Sequence, residues 1–129
     1  MRVLVADDNK DAADTLGMLL RLWGHEVRIA YDGDSALLLA HRFKPHVALL
    51  DIQMPKRNGG EVALQIRRQS GSEKTLLIAV SGSDPSDPRL ARYKGAFDAF
   101  LSKPCEWERI QELLADYRSH TRESMRMYS

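Results

Sequence analysis

The sequence predicts one α/β domain, a doubly wound parallel sheet of five strands with helices on both faces. Three observations predict it. The length of 129 residues suits a single core, since compact domains cluster near ~100–150 residues and a second core needs more chain. Five short apolar runs rich in β-branched residues are spaced along the chain, and between them the apolar residues recur at helical spacing. Strand and helix therefore alternate. A repeated βα alternation calls for right-handed crossovers between parallel neighbours, which puts helices on both sides of the sheet.

Taken in order, Val3 to Ala6 reads as the first strand. Leu16, Leu19, Leu20 and Trp23 then stand at i, i+3, i+4 and i+7, a spacing that gathers them on one buried helix face. Trp23-Gly24-His25 ends that helix, Val27 to Ala30 forms the second strand, and Asp32-Gly33 closes it. Ala36, Leu39, Ala40 and Phe43 repeat the helical spacing, and Lys44-Pro45 stops the second helix ahead of the third strand, Val47 to Leu50. Asn58-Gly59-Gly60 precedes a third helix marked by Val62 and Ile66, and Leu76 to Val80 is the fourth strand. The next helical segment, Arg89 to Lys94, has an Asp87 cap and Pro88 at its first turn but few apolar residues, so it is expected to be short and mobile. Phe97 to Leu101 forms the fifth strand, and Trp107, Ile110 and Leu114 mark the last helix. Trp23, Trp107 and Leu114 read as packing residues, with Trp107 half exposed. Residues 1–118 make up the domain, and residues 119–129 read as a polar tail that continues or leaves the last helix.

Composition narrows the class further. A hydrophobic fraction of 43% beside 29% charged residues argues against disorder, collagen-like repetition and membrane spanning. Met1-Arg2 runs straight into Val3-Leu4-Val5-Ala6, which lacks the layout of a secretory signal, and the single cysteine, Cys105, suits a reducing compartment. A cytoplasmic protein without membrane contact is expected. The balance of 19 basic against 18 acidic residues, a net +1, is far from the basic excess that drives nucleic-acid binding.

In open parallel sheets, ligands sit outside the carboxyl ends of the strands, where strand order reverses. Those positions hold Asp7 and Asp8 after the first strand, Asp51 after the third, Ser81 after the fourth and Lys103 shortly after the fifth. Three carboxylates converging on one edge repel one another unless a cation neutralises them, and an oxygen-only donor set with room for water favours magnesium (Mg2+). One carboxylate then serves as a nucleophile toward phosphorus, while the metal and a lysine ammonium absorb charge on the transferring oxygens. Ser81 donates a hydrogen bond to the remaining oxygen. Phosphoryl transfer needs positioning and electrostatics more than covalent help, so no histidine base is required.

Four segments carry a resemblance: Val3-Leu4-Val5-Ala6-Asp7-Asp8-Asn9, Leu49-Leu50-Asp51-Ile52-Gln53-Met54-Pro55, Ser81-Gly82, and Phe100-Leu101-Ser102-Lys103-Pro104. Together, in this order, they are similar to the receiver domains of two-component response regulators, over residues 2 to about 118. The resemblance implies a flavodoxin-like sheet in the order 2-1-3-4-5. It also implies phosphorylation by a histidine kinase or histidine phosphotransfer protein, with self-catalysed loss of the phosphoryl group and no action on other substrates. By position, Asp51 is the implied phosphoacceptor and metal ligand, Asp8 a direct magnesium ligand, and Asp7 an acid that holds the metal directly or through water. The main-chain carbonyl of Gln53 completes the implied ligands. Lys103 pairs with the acceptor and its phosphate, and the Lys103–Pro104 bond is the family's cis peptide, a geometry that is rare outside X-Pro.

Ser81 and Phe100 resemble the hydroxyl and aromatic of the family's switch. Phosphate pulls the hydroxyl inward, space opens beneath Phe100, and the ring turns from exposed to buried. Phe100 lacks a tyrosine hydroxyl, so switching relies on packing and acts as a population shift of the fourth helical segment and fifth strand. Gln53 and Ser83 occupy positions that tune dephosphorylation in the family. The loop Lys56-Arg57-Asn58-Gly59-Gly60 departs from the usual form, and its two added positive charges read as a means of recruiting an acidic partner.

Other readings compete. A phosphatase resembling the haloacid dehalogenase group needs a second aspartate two residues after the nucleophile, where this chain has Gln53. A flavin site needs a phosphate cradle where Asp7 and Asp8 stand. A receiver that binds partners without phosphorylation is the third. His25, His41, His46 and His120 read as structural or surface residues, Cys105 as a small buried one, and Arg67-Arg68, Arg122 and Arg126 as solvated surface. Too little chain follows residue 118 for an effector, so the output passes through a separate protein or a parent chain. Met1 points to a stand-alone regulator, whereas Lys10 to Asp14 and Gly24 to Val27 are similar to receivers of hybrid sensor kinases. The downstream partner, and whether the chain forms a homodimer, stay open.

Overall fold

Five strands, β1 (Arg2–Ala6), β2 (Glu26–Ala30), β3 (Val47–Asp51), β4 (Leu76–Ser81) and β5 (Ala99–Ser102), pair side by side in the order β2-β1-β3-β4-β5. Every pairing is parallel. This computed structural model describes residues 1–127 apart from 70, 72, 73, 83–85, 87 and 105, and of residues 89 and 119–127 it describes the backbone alone. The readings made for Cys105, Ser83 and the Asp87 cap fall outside the described residues.

Residues along the strands alternate between two apolar layers, as the two-residue period of a strand requires. Leu4, Ala48, Leu50, Leu77 and Ala79 face α2 (Gly33–Phe43) and α3 (Gly59–Arg68), packing on Ala36, Ala40, Val62 and Ile66. Val3, Val5, Val27, Leu49 and Ile78 face α1 (Lys10–Leu22) and α4 (Trp107–Met127), packing on Ala13, Leu20, Ile110 and Leu114. β3 lies at the centre and is buried along its whole length, so the carboxylate that ends it, Asp51, is held on the stiffest strand. Three helices begin on side-chain caps that satisfy an otherwise orphaned backbone N–H: Asn9 accepts from Ala12, Asp32 from Ser35, and Asn58 from Glu61.

Several details depart from expectation. The fourth helical segment is a 3-10 helix, η1 (Pro88–Tyr93), rather than an α-helix, and its Leu90 and Tyr93 are anchored in the core. β5 starts at Ala99, two residues later than expected, because Asp98 brackets Leu77: its N–H donates to the Leu77 carbonyl and its carboxylate accepts the Leu77 N–H, both at 2.8 Å. Arg67 is not solvated surface. Its guanidinium donates to Ala96 O at 3.0 Å, Thr75 O at 2.7 Å and Asp98 Oδ2 at 2.7 Å, stapling α3 to the entries of β4 and β5. As expected, Trp107 is partly exposed, at 39%, while Ile110 and Leu114 do the packing, and of the two courses open to the tail α4 takes the continuous one, through residue 118 to Met127. Among the described residues, no helix is long and apolar enough to cross a membrane.

His46 ties the base of the sheet together. Its Nδ1 accepts the Arg2 N–H at 2.9 Å, its own N–H donates to Arg2 O at 2.9 Å, and its carbonyl accepts the Leu76 N–H at 2.9 Å. Burial, and then the positive charges of Arg2 and the chain's N-terminus, lower the His46 pKa, and protonation at Nδ1 would remove the acceptor. A histidine pKa lower in the folded state than unfolded gives stability that is present above ~6.5 and lost as pH falls toward the folded value. The stability advantage of wild type over His46→Asn, measured by urea unfolding, is therefore expected to narrow between pH 7 and pH 5.

Candidate functional site

The carboxyl ends of β1, β3, β4 and β5 meet in one cleft. The β1 end delivers Asp7 and Asp8: the Asp7 N–H donates to Ala30 O at 3.1 Å, and its Oδ1 accepts the Asn9 N–H at 2.9 Å, which turns the chain toward α1. Asp51 ends β3 and is only 4% exposed, and its Oδ1 accepts the Gln53 N–H at 3.1 Å. Asp7, Asp8 and Asp51 each offer a carboxylate oxygen within 4.8 Å of the others, with Asp8 exposed and the other two buried. Lys103 reaches in from beyond β5, its Nζ 3.0 Å from Asp51 Oδ2 and 3.3 Å from Asp7 Oδ2.

The lysine is held by its own backbone. The Lys103 N–H donates to Ser81 O at 2.9 Å, joining the ends of β4 and β5, and the Lys103–Pro104 peptide is cis. Ser81 is buried at the end of β4 beside this junction. Gln53 is exposed on the loop after Asp51. Phe100 lies half-buried on β5 and meets Phe97 edge-on, with ring centroids 5.5 Å apart. The sequence-predicted side chains thus gather at one rim, with Phe100 set back from it.

One lysine does not balance three acids. Burial drives the Asp51 pKa up to about 6, the Lys103 contact opposes this, and Asp7 adds to it. Burial alone would lower the Lys103 pKa, but its contacts with Asp51 and Asp7 outweigh that and raise it. The ammonium therefore stays charged, and the Asp51 carboxylate is pushed toward its protonated form. An oxygen-only donor set with two buried acids and one open to solvent fits a hard divalent cation that keeps part of its water shell. Asp7, Asp8, Asp51 and the Gln53 carbonyl are the groups that would hold it.

The positive loop after Asp51 is paired across to the start of α2, Lys56 with Asp32 at 3.7 Å and Arg57 with Asp34 at 2.9 Å, with both cationic side chains open to solvent. Gly33 makes the approach possible, since a Cβ there would lie 2.2 Å from the Arg57 carbonyl oxygen. Opposite charges at 32, 34, 56 and 57 were visible in the chain, but it takes the packing of α2 on α3 and the hydrogen bond from the Gly33 N–H to Pro55 O, 3.3 Å, to bring them together.

The response regulator receiver domain profile matches residues 3–115. The chain belongs to that family. It is thus a receiver domain of two-component signalling. Among solved structures, the Francisella response regulator 1452 receiver domain is 27% identical with a TM-score of 0.82, the match covering 93% of this chain and 98% of that one. The chemotaxis protein CheY4 of Vibrio cholerae is 26% identical with a TM-score of 0.81, over 90% of this chain and 97% of that one. The receiver domain of a Pseudomonas aeruginosa sensor histidine kinase, solved with a magnesium ion coordinated in its active site cleft, shares the fold at 23% identity and a TM-score of 0.80, over 90% of this chain and 95% of that one.

A carboxylate whose folded pKa is raised costs stability above that pKa, and the cost disappears as pH falls through it toward the unfolded value near ~3.9. Asp51→Asn is expected to raise the melting midpoint of this receiver in metal-free buffer at pH 7 by about 2–6 °C, with the gain shrinking toward pH 5. Differential scanning calorimetry of both proteins checks it.

Proposed function

We propose that this receiver is a phosphorylation-dependent switch. It accepts a phosphoryl group on Asp51, with magnesium bound among Asp7, Asp8, Asp51 and the Gln53 carbonyl, from a histidine kinase or histidine phosphotransfer protein in the cytoplasm. It acts on no external substrate, catalysing only its own phosphorylation and dephosphorylation. The observation that carries this reading is the buried Asp51 carboxylate held at 3.0 Å by the Lys103 ammonium, beside two further acids whose oxygens lie within 4.8 Å.

The residues divide the work. The Gln53 N–H and Lys103 orient the two Asp51 oxygens, so one of them can attack phosphorus while the bond from phosphorus to the donor nitrogen breaks and the departing imidazole takes its proton from solvent. When bound, the cation shields the acids from one another and neutralises charge on the transferring oxygens. Lys103 moves from a bond with carboxylate to one shared with phosphate, keeping its charge throughout. The Ser81 hydroxyl is drawn to a phosphate oxygen, and the room so released beneath Phe100 lets the ring pack inward against Phe97. That motion shifts η1 and β5 between two populations, which is the output.

Incubation with acetyl phosphate and magnesium is expected to add the mass of one phosphoryl group, and both chelation of the metal and Asp51→Asn abolish the gain. Lys103→Ala slows it by roughly 10²-fold. Intact-mass spectrometry reads all four. Absence of any gain in wild type would favour a phosphorylation-independent binding module, and steady hydrolysis of unrelated phosphate esters a phosphatase.

A further inference from the structure

The first turn of α3 holds two consecutive glycines, each pressed on a different part of the molecule. A Cβ on Gly59 would lie 2.3 Å from the carbonyl oxygen of Asp51, and the Gly59 N–H donates to Ile52 O at 2.9 Å. A Cβ on Gly60 would lie 2.3, 2.4 and 2.6 Å from the Cδ2, Cγ and Cε2 atoms of the Tyr93 ring. Tyr93 is the last residue of η1 and is 5% exposed. Its hydroxyl accepts a long, 3.4 Å hydrogen bond from the side-chain amide of Asn58, the residue that caps α3. Among the regular elements, α3 is the one against which η1 packs most.

Real Cβ atoms do not approach other atoms so closely, so glycine at both positions is what lets backbone, helix turn and ring come into contact. Close-packed groups of this kind transmit displacement rather than absorb it. A shift of the Asp51 main chain meets Gly59 at once, and a shift of that turn meets Tyr93.

We infer that Tyr93 is a positioning residue for the acceptor: it clamps the Gly59–Gly60 turn onto the main chain of Asp51, so that the acceptor's backbone and η1 move as one body. The inference rests on the reading of Asp51 as phosphoacceptor and deepens it, because it gives the site a second mechanical link to η1. This link leaves Asp51 through α3, whereas the Ser81–Phe100 route leaves through β4 and β5. The two come together where Phe97, which follows η1, touches Phe100.

A double-mutant cycle tests it, using Gly60→Ala, Tyr93→Ala and the pair. Three quantities are read: the amide shifts of Ile52 and Gln53 in metal-free protein, the magnesium Kd by calorimetry, and the rate of mass gain from acetyl phosphate. Gly60→Ala is expected to move both amides, raise the Kd about 5-fold or more and slow phosphorylation by a similar factor. In the Tyr93→Ala background the added alanine changes each quantity by less than about 2-fold, because the ring it struck is gone. Tyr93→Phe keeps the ring and stays close to wild type. Should Gly60→Ala fail to fold alone, recovery of folding in the double variant supports the clamp, and continued failure beside a folded Tyr93→Ala overturns it. Equal damage from Gly60→Ala in both backgrounds, or lost stability with unmoved amides and Kd, also overturns it. If wild type takes no phosphoryl group, the acceptor reading fails, while the amide shifts still decide whether Tyr93 positions that turn.

Discussion

Three carboxylates brought to one rim of a parallel sheet, with a single ammonium to balance them, is the constraint on which the rest of this structure depends. The strand order sets it. With β1 and β3 adjacent, Asp7, Asp8 and Asp51 leave the sheet side by side, and two of the three acids, Asp7 and Asp51, are buried. Lys103 is the structure's own partial remedy, fixed by the hydrogen bond from its N–H to Ser81 O. Burial first, and then the neighbouring Asp7, raise the Asp51 pKa against the pull of Lys103, a cost of the folded state that a divalent cation among the acids would lower.

Most of the architecture around this cleft exists to hold it without contributing chemistry. The Asn9, Asp32 and Asn58 caps start three helices at the rim rather than inside it. The paired charges Lys56–Asp32 and Arg57–Asp34 fasten the loop that carries Gln53 to α2, each worth little alone because both are exposed. Arg67 works deeper in the molecule, satisfying the Thr75 and Ala96 carbonyls and keeping β5 aligned with β4. The cleft is thus backed by the fully buried β3 on one side and bordered by β5 on the other.

Legibility in the sequence followed the range of the forces involved. The five strands, the four α-helices and the side chains at the strand ends were all readable, because two- and 3.6-residue periods and turn residues are local. The strand order needed the family resemblance, since pairing is not local. The winding of η1 was not readable: its stability comes from Tyr93 seated over Gly60 and from Leu90 in the core, both long-range contacts that outweigh local propensity. Arg67 was misjudged for the same reason, as a charge looks like solvated surface until the partner 31 residues away is in place. Trp107, read as half exposed at the start of the last helix, is 39% exposed there.

The titration of the Asp51 carboxyl carbon, followed by carbon-13 NMR with and without magnesium, bears on the central claim most directly. The account requires a midpoint at about 6 in metal-free protein and a fall to below the ordinary carboxylate value of ~3.9 once magnesium saturates the cleft. A midpoint that magnesium leaves where it was would mean that the acids do not share a cation, and the account of this cleft would be wrong.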